Sequence, residues 1–115
     1  MATNYVGVFP KNFAANQLCT PVAASLTGDT IDGSDIINDA VFIVTAGGTP
    51  TNVTFVDPGK TPAGTAAGTV TPQTVAANTS RCWGKTQLQG YIDPVSNKVG
   101  VNFSSVTGIT VMVVG

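Results

Sequence analysis

The sequence of 115 residues contains no histidine and no glutamate, and charged residues make up only 10% of it. Histidine and glutamate supply many of the general acids and bases of enzymes, so the usual groups for proton transfer are missing. A nucleophilic Cys19 or Cys82 would have no imidazole to activate it. Lys85, three residues beyond Cys82, is by itself a weak activating signal. The sequence therefore predicts that the protein is not an enzyme.

Positive charge is equally scarce, since four lysines and one arginine are scattered along a chain of formal net charge −1. Nucleic-acid binding requires clustered lysine or arginine, so we expect no nucleic-acid partner. No apolar run approaches the roughly 20 residues of a membrane span. The N-terminus also lacks the basic and apolar regions of a signal peptide. We therefore expect a protein that is made in the cytoplasm, without a membrane partner or a cofactor, and whose nearly uncharged surface suits lasting contact with another protein.

The cysteines and the aspartates could each form a special site. Cys19 and Cys82 do not have metal-motif spacing, and we expect two buried thiols, with a disulfide between them as the alternative. Four of the six aspartates lie in residues 29–39, where oxygen ligands could hold Ca²⁺. The spacing departs from that of an EF-hand, and the closing glutamate is absent. Because aspartate also satisfies backbone groups in turns, we predict a structural stretch without metal, with calcium as the alternative.

Threonine and valine are abundant, and 13 glycines and seven prolines punctuate the chain. This composition is typical of strands and turns. Alternating or short apolar runs predict strands at residues 20–26, 40–45, 51–56, 69–75, 80–84, 98–103 and 108–114. We expect residues 40–45 and 51–56 to form one β-hairpin, and residues 98–103 and 108–114 to form another.

No segment has the 3.6-residue period of an amphipathic helix, so the predicted fold class is all-β. We expect an antiparallel β-sandwich, Ig-like or jelly-roll-like, over residues 19–115, with a barrel as the alternative. An extended N-terminal arm over residues 1–18 precedes it, and residues 60–68, which hold no apolar side chain larger than alanine, should form an exposed loop.

From residue 41 onward the pattern of strands and turns resembles a family of small virion proteins encoded among the head genes of actinobacterial phages. The resemblance lies in residues 41–56 closed by Asp57-Pro58-Gly59, in the Gly/Ala/Thr loop, in residues 69–81 and 91–94, and in residues 99–111. It covers about two-thirds of the chain. It implies a β-sandwich that binds the exterior of a tailed-phage capsid and stabilises contacts between major capsid proteins. Further copies of the chain are a second expected partner.

The expected contact residues are aromatic side chains of the arm, residues of the exposed loop, and one large aromatic that anchors either the core or an interface. They are Tyr5, Phe9, Phe13, Lys60, Thr61, Pro62 and Trp83. An edge strand packed on its own domain is the alternative for the arm. A phage tail or baseplate component is the first alternative function. The second is a carbohydrate-binding module, whose sugar platform would comprise Trp83, Tyr91 and the aspartate-rich stretch.

Overall fold

The computed structural model describes residues 3–12, 16–25, 28–56 and 72–115. These residues form nine strands, two short α-helices and two 3₁₀ turns, the turns at Pro10–Asn12 and Gln89–Tyr91. In chain order the strands and helices are β1 (Asn4–Tyr5), β2 (Val22–Ala23), β3 (Asp29–Asp32), α1 (Gly33–Ile37), β4 (Val41–Thr45), β5 (Thr51–Phe55), β6 (Gln73–Val75), β7 (Ser80–Trp83), α2 (Lys85–Leu88), β8 (Lys98–Phe103) and β9 (Thr110–Val114).

The strands build two sheets. One sheet has five strands in the order β1-β3-β8-β5-β6, and the other has four in the order β2-β9-β4-β7. Every pairing between these strands is antiparallel except that of β1 with β3. The prediction of a mostly β, two-sheet fold is therefore confirmed.

The core lies between the sheets, because the long strands bury every second side chain. In β4 the buried residues are Phe42 and Val44, and β8 and β9 alternate in the same way. Rings from the two sheets meet at the centre: the centroid of Phe55 lies 6.0 Å from that of Phe42 and 5.3 Å from that of Trp83. Each apolar side chain of this size contributes about 1.5–3 kcal/mol when it is fully buried.

Both predicted hairpins are wrong, although their strands are present. β4 pairs with β7 and β9 in one sheet, whereas β5 pairs with β6 and β8 in the other, so residues 46–50 cross between the sheets. β8 and β9 likewise belong to different sheets. Alternation identifies the face that a strand buries, and strands of opposite sheets face the same core. The pattern is thus the same for a hairpin and for a crossover.

Smaller differences concern elements at the edges. The predicted core strand at residues 20–26 is found as the two-residue β2, whose side chains are exposed. The helices α1 and α2 were missed because they are too short to develop an apolar repeat. The described part of the predicted strand at residues 69–75 is β6, an edge strand as expected. The predicted loop at residues 60–68 lies outside the described residues.

Candidate functional site

The N-terminal segment, defined as residues 3–9, runs along one side of the sandwich and is bonded to both sheets. Its strand β1 forms the edge of the five-stranded sheet, where the backbone nitrogen of Thr30 donates to the carbonyl oxygen of Thr3 at 2.9 Å. Further along, the nitrogen of Val8 donates to the oxygen of Val113 at 2.9 Å, and that of Gly115 donates to Val8 at 2.7 Å. Residues 3–9 of the predicted arm therefore lie on the chain's own sandwich.

Asp29, the first residue of β3, anchors this segment through its side chain. Its carboxylate is fully buried, and its Oδ1 accepts the backbone N–H of Thr3 at 2.9 Å. Its Oδ2 accepts the hydroxyl of Tyr5 and the backbone N–H of Ser25, the latter at 2.9 Å. Burial, followed by the hydrogen bond to Asp29, raises the pKa of Tyr5 well above its ordinary value of 10.0. Three donors thus satisfy the buried carboxylate and fix two separate stretches of chain to it.

Two more aspartates of the acidic stretch have structural partners. Asp35 Oδ2 accepts the backbone N–H of Gly7 at 2.8 Å, so it holds the middle of the N-terminal segment. Asp32 Oδ1 lies 2.9 Å from Lys98 Nζ, and this hydrogen bond lowers the pKa of Asp32. Within residues 3–12, 16–25, 28–56 and 72–115, no three His, Cys, Asp or Glu side chains are grouped so that they could hold a metal ion.

The predicted interface residues divide into three groups. Tyr5 and Trp83 are only 2% and 8% exposed, and both rings pack on Phe42, at centroid distances of 6.1 and 5.8 Å. They are therefore core residues within this chain. Phe9 is half-buried and packs against the edge of the core. The other four, Phe13, Lys60, Thr61 and Pro62, lie outside the described residues.

A groove of about 200 Å³ lies between the N-terminal segment, the residues that lead into β2, and β9. We call it the N-terminal groove. All of its lining residues are uncharged, and they include Val8, Cys19 and Met112. Two more lining residues are exposed apolar side chains, Val6 at 68% and Val22 at 41%. A contiguous exposed apolar patch is a candidate docking surface, so the groove is a candidate site among the described residues.

Leu18 extends the apolar character beyond the groove itself. It directly precedes Cys19 and is 84% exposed. We call Val6, Leu18 and Val22 the apolar rim. The rim was not predicted from the sequence, because its three side chains are aliphatic whereas the predicted contact residues of the arm are aromatic. A leucine without periodic apolar neighbours, in a region of weak strand character, was the available signal.

The two cysteines are separate free thiols, so the structure contains no disulfide between them. Cys19 is half-buried, and Cys82 is exposed on the edge strand β7. The prediction of a buried thiol is therefore wrong for Cys82. Its strand pairs on one side only, and three of its four side chains are exposed.

Comparison of the chain with protein-family models, with curated proteins and with solved structures gave no match. In the part of the chain that the structure describes, no helix has the length and apolar character needed to cross a bilayer.

Proposed function

We propose that the chain is a structural virion protein that binds the outer surface of a tailed-phage capsid and stabilises contacts between major capsid proteins. The observation that carries this proposal is the N-terminal groove, an uncharged surface with an exposed apolar rim. Backbone hydrogen bonds to both sheets hold one wall of the groove in place, so little conformational entropy is lost when a partner binds there. The resemblance of residues 41–111 to small phage head proteins supplies the capsid as the partner.

We further propose that the sandwich is a jelly roll and not an Ig-like fold. The pairings β2 with β9, β3 with β8, β4 with β7 and β5 with β6 are nested, as in one long antiparallel ribbon. Wrapping such a ribbon gives the orders β2-β9-β4-β7 and β3-β8-β5-β6, with β1 added at one edge. An Ig-like sandwich instead places its first two strands side by side.

The jelly roll supports the proposed role by analogy. This architecture is used by viral capsid domains and by lectins, so it raises the expectation of a binding protein without specifying the partner. The groove gives the more specific argument, because no charged lining residue must lose its hydration when an apolar partner segment is seated.

The proposed mechanism is linkage between binding and capsid stability. A protein that binds the closed lattice, and not the separated capsid subunits, stabilises the lattice by its binding free energy. Complete burial of one valine or leucine of the apolar rim would contribute about 1.5–3 kcal/mol. Because the capsid surface repeats, a moderate contribution from each copy adds over the whole shell.

A charge in the apolar rim tests the proposal. We expect Val6→Asp and Leu18→Asp each to weaken binding to capsids of the phage that encodes the chain by at least about 100-fold, since an unpaired buried charge costs several kcal/mol. Val95→Asp is the matched control, because Val95 is 85% exposed but, unlike Val6 and Leu18, neither lines the groove nor adjoins a lining residue along the chain. Binding is measured by co-sedimentation, and thermal unfolding of each variant confirms that it is folded. Equal binding by all three variants would contradict the proposed surface.

A reconstruction of the virion completes this experiment by locating the protein. The proposal expects many copies on the outside of the capsid shell, at joints between capsid subunits. Copies confined to the tail would refute the capsid role and support the tail or baseplate alternative.

A further inference from the structure

A second depression lies on the outer face of the five-stranded sheet and shares no lining residue with the N-terminal groove. Its volume is about 180 Å³. Strands β3 and β8 and the segment that leads into β8 line it, with Val56 at one side. The side chains that matter for binding are those of Thr30, Val56, Tyr91, Asp93, Ser96 and Lys98.

The walls of the depression are held by contacts within the protein. The ring of Tyr91 packs on Phe55, with 5.7 Å between centroids, so one wall is a supported aromatic side chain. Asp93 closes the turn into β8: its backbone nitrogen donates to the carbonyl oxygen of Lys98 at 3.0 Å, and its Oδ1 accepts the N–H of Val95 at 2.8 Å. Gly100 also lines the depression, where an added Cβ would lie 2.9 Å from a methyl group of Val56.

The charges at the depression disfavour an anionic ligand. Lys98 Nζ already donates to Asp32 Oδ1 at 2.9 Å and to Asn4 Oδ1 at 3.0 Å. Asp93 adds a second carboxylate, so the three charged groups together carry one net negative charge. A phosphate or a carboxylate would therefore be repelled, although an exposed lysine without carboxylate neighbours would attract such an anion.

The polar groups suit a ligand that is rich in hydroxyls. The carboxylate of Asp93 accepts hydrogen bonds from hydroxyl groups, and Lys98 donates to them. Thr30 and Ser96 contribute hydroxyls that can do either. The ring of Tyr91 and the methyl groups of Val56 offer apolar contact to C–H groups. A ligand with a C–H face and a rim of neutral hydroxyls is a saccharide.

We propose that this depression binds one ring of a neutral saccharide. The volume is below the roughly 300–1,000 Å³ of pockets for drug-sized ligands, so only a single ring is accommodated. The site differs from the sugar platform predicted from the sequence, because Trp83 is buried and only Tyr91 of the named aromatics lines it. The proposal is independent of capsid binding. On a particle with many copies, weak sites of this kind would act together through multivalency.

The test is a titration of the isotope-labelled chain with glucose, galactose, mannose and N-acetylglucosamine. Binding is measured by NMR from the changes in the amide chemical shifts. We expect at least one sugar to shift the amides of Tyr91, Ser96 and Gly100, with a dissociation constant in the millimolar range. Inorganic phosphate should leave these amides unchanged. If none of the four sugars shifts them, or if phosphate does so instead, the proposal is overturned.

A matched pair of variants separates specific binding from a general effect. Asp93→Asn keeps an oxygen that can accept from Val95 but removes the negative charge, and it should weaken sugar binding at least tenfold. Asp39→Asn is the same change at an exposed aspartate that does not line the depression, and it should bind like the parent chain. Equal affinity of the two variants would refute the site. Because neither change involves the N-terminal groove, failure here leaves the capsid proposal standing.

Discussion

The aromatic interior and the buried carboxylate of Asp29 hold the sandwich together by different physical means. In the interior, Phe42 contacts Phe55 of the opposite sheet and Trp83 of its own, and its contribution scales with the area removed from water. Asp29 instead accepts hydrogen bonds from three donors in two stretches of chain, and each bond requires a particular direction. The interior should therefore tolerate changes that conserve volume, whereas the Asp29 site should not tolerate loss of an acceptor.

The largest expected effect comes from the interior. Phe42 is fully buried and contacts rings on both sheets, so Phe42→Ala should lower the free energy of unfolding by about 3–5 kcal/mol. Phe42→Leu, which keeps most of the volume, should cost markedly less. Urea denaturation of both variants measures the difference. Equal losses would show that ring volume is not what stabilises this region.

The intermediate effect comes from Asp29. Asp29→Asn keeps the shape but offers one acceptor oxygen and two N–H donors to a site made of donors, so about 2 kcal/mol should be lost. Asp39→Asn, at an exposed position, should change stability by less than about 0.5 kcal/mol. Urea denaturation at pH 7 measures both variants. A loss no larger than that of the Asp39 control would mean that Asp29 does not anchor the N-terminal segment.

The smallest expected effect is on the pH dependence. The pKa of Tyr5 is raised in the folded state, so the unfolded chain ionises first, near pH 10, and the stabilisation is lost as pH rises above that value. We expect the parent chain to lose about 1 kcal/mol between pH 9 and pH 11 relative to Tyr5→Phe, which has no hydroxyl to ionise. Parallel stability curves for the two chains over this range would contradict the buried Tyr5–Asp29 contact.

The sequence could predict where the strands lie, but not which strands pair. The strands predicted at residues 40–45, 51–56 and 98–103 correspond to β4, β5 and β8, because a short apolar run or an alternating pattern is a local property of each segment. The pairing partners of these strands were not predicted correctly, because pairing depends on which segments, distant along the chain, come together in the fold.

The candidate sites show the same limit. Tyr5 bonds Asp29 from 24 positions away along the chain, and no local pattern marks either residue as a partner of the other. The sequence predicted Tyr5 as a contact residue of the N-terminal segment, whereas the structure buries Tyr5 and exposes the neighbouring Val6. The depression at Tyr91 depends in the same way on β3 and β8 lying side by side.

The strand order also bears on how the chain acquires its fold. β8 is an inner strand of one sheet and β9 is an inner strand of the other, yet they are the last two strands along the described chain. During translation, β3 and β5 lack the strand that lies between them until β8 has been made. In the other sheet, β2 and β4 lack theirs until β9 has been made. Such non-local pairing folds slowly. The centres of both sheets can therefore be completed only after β8 and β9 have been made, which is later than every strand that they join.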